Sequence, residues 1–112
     1  GEFAGSESTI EIERESISSA MQNVNNLMRQ VRIRPYFEDG QPRGIMLSSI
    51  RGGSIFQDMG LESGDIIKGV NGREIRSMDD AMKFYENLQS ASEIMVQIQR
   101  NGSLRNIRYR IE

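Results

Sequence analysis

The sequence predicts an α+β domain with two helices, preceded by an N-terminal amphipathic helix, and three stretches predict it. Residues 56–72, reading Phe56-Gln57-Asp58-Met59-Gly60-Leu61-Glu62-Ser63-Gly64-Asp65-Ile66-Ile67-Lys68-Gly69-Val70-Asn71-Gly72, set out a helix end, a tight turn, a strand and a hairpin in order. Gly60 is the residue expected one past a short helix, where a left-handed backbone penalises any side chain. Behind Ser77 and Asp80, spaced as a capping box, residues 78–88 carry apolar side chains at the helical period. Residues 94–111 alternate apolar and polar positions across Asn101-Gly102, a type I′ hairpin signal that Asn71-Gly72 repeats.

The remaining elements follow in chain order. Gly1-Glu2-Phe3-Ala4-Gly5-Ser6 reads as a cloning scar, and the Glu/Ser-rich stretch to Glu15 as a flexible lead-in, so the chain is expected to be a piece of a longer protein. Ser16 is the expected N-cap of a helix over residues 16–30, whose apolar positions Ile17, Ala20, Met21, Val24, Leu27 and Met28 share one face. That face is expected to pack on the domain of residues 31–112. Val31, Ile33 and Phe37 alternate with Arg32 and Arg34 as a half-buried strand, where Pro35 removes one ladder donor and implies an edge or a bulge. Residues 38–42 form a turn, residues 44–50 the next strand, and Ser54 caps a single-turn helix through Ile55, Phe56 and Met59.

A chain of 112 residues, 37% hydrophobic with a net charge of −2, suits one small soluble domain. Residues 1–30 hold five acids against two Arg, leaving +1 for residues 31–112, and neither part has the charge of a nucleic-acid or membrane surface. No apolar run approaches the roughly 18 residues of a membrane span. The sequence has no His and no Cys, which removes Ser-His-Asp and Cys-His catalysis and most zinc or copper sites. Asp79 and Asp80 are explained by charge–dipole stabilisation at a helix start. Arg100, Arg105, Arg108 and Arg110 read as a solvated sheet face, since no aromatic pattern interleaves them for base stacking. No catalytic residue, metal ligand or cofactor is expected.

The sharper candidate is a peptide groove between the strand at residues 44–48 and the helix at residues 78–88. An unpaired strand edge offers N–H and C=O groups to an extended partner, while neighbouring side chains select its residues. The candidate residues are Arg43, Gly44, Ile45, Met46, Leu47 and Ser48 on the strand with Met78, Met82 and Tyr85 on the helix. Ala81, Phe84 and Leu88 share the helix's core face. Met78 and Met82 serve either as adaptable groove lining, which gives a broad and weak preference, or as core filler.

The run Gly60-Leu61, Gly64-Asp65, Ile67 and Val70-Asn71-Gly72 resembles the PDZ domains of bacterial envelope proteins. With the leading helix and the segment Gln30-Val31-Arg32-Ile33-Arg34-Pro35-Tyr36-Phe37-Glu38-Asp39-Gly40-Gln41-Pro42-Arg43-Gly44, it resembles more narrowly the PDZ domain of the type II secretion system protein C family. The resemblance implies a small, partly open β-barrel or sandwich and a non-catalytic interaction module. It also implies a periplasmic location in a single-pass inner-membrane protein, with membrane attachment only through an anchor outside this chain. Partners implied are exported protein substrates or extended peptide segments, and other secretion components such as the secretin through regions outside this chain. Peptide-binding PDZ domains carry a Gly-Leu-Gly-Phe-like loop, whereas the matching positions are read here as Arg43-Gly44-Ile45-Met46, so internal or folded segments are the expected ligands rather than C-terminal carboxylates. Two other readings stay open: a regulatory PDZ domain of an envelope protease, and a purely structural assembly domain whose groove is empty or plugged by the leading helix.

Overall fold

A computed structural model gives the architecture and describes residues 6–87 and 90–112, without the side chains of Ser6 and of residues 85–89. Among them the order is β1 (Ser6–Ile12), α1 (Arg14–Gln22), α2 (Val24–Met28), β2 (Arg32–Glu38), β3 (Gln41–Ser48), α3 (Ile55–Asp58), β4 (Ile66–Val70), β5 (Arg73–Glu74), α4 (Met78–Asn87), β6 (Glu93–Arg100) and β7 (Ser103–Ile111). The strands form one open sheet in the order β1-β7-β6-β4-β3-β2, with β5 paired to β4 beside that path. Only the β1–β7 pair is parallel. The edges of the sheet are therefore β1 and β2.

The turn residues explain the connections. Asn71-Gly72 and Asn101-Gly102 both take two consecutive positive φ values, 51° with 81° and 52° with 80°, as the type I′ signal requires. Asn71 reinforces its turn by accepting the Met95 N–H on Oδ1 at 2.8 Å. Ser54 Oγ accepts the Gln57 N–H at the start of α3, and Ser77 Oγ accepts the Asp80 N–H before α4. The end of α3 is a Schellman motif: the Leu61 N–H donates to Phe56 C=O, the Gly60 N–H to Gln57 C=O, and Gly60 sits at φ 76°.

The last two strands pack as their alternation predicts. Ile94, Val96 and Ile98 from β6 and Ile107, Tyr109 and Ile111 from β7 are buried, and Ile45, Leu47, Leu61, Val70 and Ile75 join them in one core. At one end of this core lies a buried polar knot. Asp65, 1% exposed, accepts two hydrogen bonds from Arg100, 2.8 Å from Nε and 2.7 Å from a terminal nitrogen, and a third from the Glu62 N–H. Arg100 also donates to Gly60 C=O, and the Tyr109 hydroxyl donates to Met59 C=O at 2.7 Å. The hydrogen bonds to Asp65 hold the Arg100 guanidinium above its already high ordinary pKa. Burial, reinforced by the Asp65 charge, pushes the Tyr109 phenol well above its usual value. Arg100, grouped by sequence with the outward arginines of the last hairpin, instead turns inward, because it is the one cation within reach of a buried carboxylate 35 positions earlier among the described residues.

The structure corrects three further expectations. Residues 6–12 are a strand rather than a flexible lead-in, since Ile10 and Ile12 alternate with polar residues and the segment pairs along β7 from Arg105 to Ile111. The leading helix starts at Arg14 behind Glu13, not behind Ser16, and is broken at Asn23. There Asn23 Oδ1 accepts the Asn26 N–H at 3.1 Å and caps α2, the local side-chain bond by which Asn competes with helix propagation. Finally, β3 begins at Gln41 rather than at residue 44. Asp39-Gly40 form a two-residue turn with φ 51° and 78°, and a bulge between Tyr36 and Phe37 absorbs the irregularity around the Pro42 pairing.

Candidate functional site

The strand at residues 44–48 is not an open edge. On one side β3 pairs with β2 from Arg32–Ser48 to Glu38–Gln41, and on the other Ile45 and Met46 pair with Ile67 and Ile66 of β4. On this side of the sheet the edge strand is β2, one position further out, as β1 is on the other side. Pro35 signals this, because a strand proline is tolerated where its nitrogen faces away from the ladder.

Backbone bonding fixes which groups of β2 face outward. Leu47, opposite Ile33, donates its N–H to Asp65 C=O at 2.8 Å and accepts the Gly64 N–H on its own C=O at 2.7 Å. Both groups are thus turned away from β2. Opposed residues of an antiparallel pair share the same bonding state, so Ile33 directs its N–H and C=O to the open edge. Gln30 has the other parity, and its C=O accepts the Arg51 N–H on the β3 side. Ile33, with Val31 and Pro35 on the same parity, forms the short row of main-chain groups available to a partner, and Pro35 interrupts the donors of that row.

Beside this edge lies an apolar cleft of about 210 Å³. Ile33 from β2, Ile45 and Leu47 from β3, and Met78, Ala81 and Phe84 from α4 line its part nearest the edge, Ile17, Ala20, Met21 and Leu27 of α1 and α2 cover it, and it runs on into the core against Val96, Tyr109 and Ile111. Met78 is 38% exposed and Met82 54% exposed on α4, as Val24, Met28 and Phe37 are elsewhere on the surface. At the start of β2 a second, polar cleft of about 370 Å³ is lined by Arg29, Val31, Arg32, Ser49 and Arg51. Among the described residues no group of three or more acids is placed to hold a metal ion.

The residues chosen from sequence distribute as follows. Ile45 and Leu47 are buried walls of the cleft and offer it side chains but no strand edge. Met46 and Ser48 lie opposite Arg34 and Arg32, on the other face of the sheet. Gly44 lies within β3 rather than in a loop before a strand. At φ 153°, a Cβ there would meet Ile67 C=O and Ile66 Cγ2 at 2.8 Å, so its freedom serves packing against β4. Arg43 is drawn to Glu74, 3.6 Å away, whose carboxyl is held below its ordinary value mainly by the Arg76 hydrogen bond, with Arg43 adding to it. Met78 lines the cleft, Met82 is exposed one turn further along α4 and is not among the lining residues, and the side chain of Tyr85 lies outside the described residues. Sequence reasoning passed over Ile33, although Pro35 two positions later carried the signal.

An open sheet with a helix beside a free strand edge is an architecture to which an extended segment can add by main-chain hydrogen bonds. The profile of the PDZ domain family matches residues 16–111, so the chain belongs to the PDZ family, and the match includes most of α1 and all of α2. Within it, the chain is similar to type II secretion system protein C of Aeromonas hydrophila, 26% identical over 90 residues that are 80% of this chain and 31% of that protein. The chain thus spans about a third of the length of that relative. The solved PDZ domain of EpsC from Vibrio cholerae matches with a TM-score of 0.61 at 20% identity, covering 87% of this chain and 90% of that one. The PDZ domain of pullulanase C protein of the type II secretion system from Klebsiella pneumoniae, in complex with fatty acid, matches with a TM-score of 0.55 at 25% identity, covering 76% and 88%. PDZ domains are a non-catalytic kind of module.

Proposed function

We propose that this chain is a non-catalytic docking module of a type II secretion inner-membrane component, held in the periplasm. In this role it takes extended segments of exported proteins or of other secretion components, with contacts to the secretin made by regions outside this chain. The observation that carries the reading is the outward-turned N–H and C=O of Ile33 beside an apolar cleft and exposed methionines. An added strand would bond to Ile33 through its main chain and lay alternate side chains against Met78 and Met82. Similarity to secretion proteins C supports the setting, and no helix among the described residues is long and apolar enough to cross a membrane.

The test is an amide-shift titration of the isotopically labelled domain with extended segments of candidate exported proteins. Shifts are expected at Ile33, Arg34 and along α4, and to be lost in Met82→Asp. Shifts confined to β1 and β7, or unaffected by Met82→Asp, would reject the groove in favour of a purely structural assembly role. A second reading is favoured by the almost wholly apolar lining of the cleft: a single acyl chain occupies it, as the fatty acid of the Klebsiella domain's complex would. Competition between an extended segment and a medium-chain fatty acid for the same Ile33 and Met78 signals would show both using one site.

A further inference from the structure

We infer that the partner strand for β2 is an acidic segment in which apolar and carboxylate side chains alternate, an inference that rests on the groove reading above. Two faces of one strand carry it. Ile33 points its side chain into the apolar cleft, whereas Arg32 and Arg34, opposite Ser48 and Met46, lie on the other face. Arg29 and Arg51 join Arg32 around the cleft at the start of the same strand. All four arginines are exposed, and none has an ion-pair partner among the described residues, in contrast to Arg43, Arg76, Arg100 and Arg108.

A strand laid along β2 inherits its two faces, because successive side chains point to opposite sides. One set enters the apolar cleft. The other set stands beside Arg32 and Arg34 at cross-strand distance, where opposite charges attract and like charges repel. Arg29 and Arg51 extend the positive field past the strand start, where a further carboxylate is met. Pro35 ends the donor row, so recognition spans few residues and charge supplies much of the selectivity. A nucleic acid fits less well than a strand, since this surface offers main-chain groups to be paired along an edge.

The experiment uses three blocked hexapeptides of alternating residues, Glu/Val, Gln/Val and Lys/Val, titrated against the whole chain and followed by amide shifts at Ile33 and by fluorescence anisotropy. Two cross-strand charge pairs, at Arg32 and Arg34, with the added field of Arg29 and Arg51, are expected to favour Glu/Val over Gln/Val by about tenfold at low salt. That preference should largely vanish near 1 M salt, where the screening length is about 3 Å. The doubly reversed Arg32→Glu, Arg34→Glu variant, whose exposed positions leave the core intact, should prefer Lys/Val. Equal affinity for all three peptides at Ile33 would overturn the acidic preference and leave the groove standing. Absence of any Ile33 shift with every peptide would count against both. Binding to phosphatidylglycerol vesicles with no acid preference among the peptides would overturn the inference in favour of a lipid surface.

Discussion

The two ends of the sheet's long core solve opposite problems. At the Asp65 end every strong polar group is answered: a buried carboxylate takes a forked guanidinium and a backbone amide, and Arg100 and the Tyr109 hydroxyl tie both strands of the last hairpin to the end of α3. At the β2 end a strand keeps main-chain groups unpaired beside exposed methionines and four arginines without ionic partners among the described residues. The first arrangement removes choice, since losing either charged partner strands the other in a low-dielectric site. The second preserves choice, because its unmet groups are already solvated and can be exchanged for a ligand's. Stability and recognition are therefore expected to respond to different substitutions.

The largest effect should come from Asp65→Ala. It leaves Arg100, 15% exposed, with only Glu62 at 3.0 Å as a counter-charge among the described residues, and is expected to lower unfolding free energy by about 3 kcal/mol in a urea titration. Gly44→Ala should follow at about 2 kcal/mol, since its methyl meets the fixed Ile67 carbonyl and the backbone φ disfavours a side chain. Tyr109→Phe should cost about 1 kcal/mol at neutral pH through the lost bond to Met59 C=O. Tyr109 also sets an alkaline limit. Its folded pKa is raised, so its contribution is fully present below the unfolded value near 10 and is lost as pH climbs from there toward the folded value. Stability measured from pH 9 upward should fall more steeply in the parent than in Tyr109→Phe. The smallest effect on folding belongs to Met82→Asp, within about 0.5 kcal/mol, yet this variant should lose peptide capture. If Met82→Asp unfolds the domain, or Asp65→Ala abolishes capture while folding normally, the division between the two ends collapses.

Local chemistry was legible in the sequence and long-range pairing was not. Gly60, Asn71-Gly72, Asn101-Gly102, Ser54 and Ser77 announce their turns and caps because their hydrogen bonds close within a few residues. The inward positions of β6 and β7 follow from alternation alone. By contrast, the Asp65–Arg100 pair joins residues 35 apart, and nothing local distinguishes Arg100 from its outward neighbours. The identity of the edge strand depends on sheet order, which no periodicity encodes, so residues 44–48 read as an open edge although Pro35 marks β2. The break at Asn23 was hidden by apolar spacing that continues through it. Ile10 and Ile12 alternated in a stretch whose Glu/Ser content reads as a linker, and pairing with β7 overrides that composition.

The most direct test of the open β2 edge is hydrogen exchange at the Ile33 amide, measured by NMR with and without a bound extended segment. Its N–H is expected to exchange readily in the free domain and to become protected on binding, while the amides of β1 stay unchanged. An Ile33 amide already protected in the free domain, or protection appearing only along β1, would contradict it.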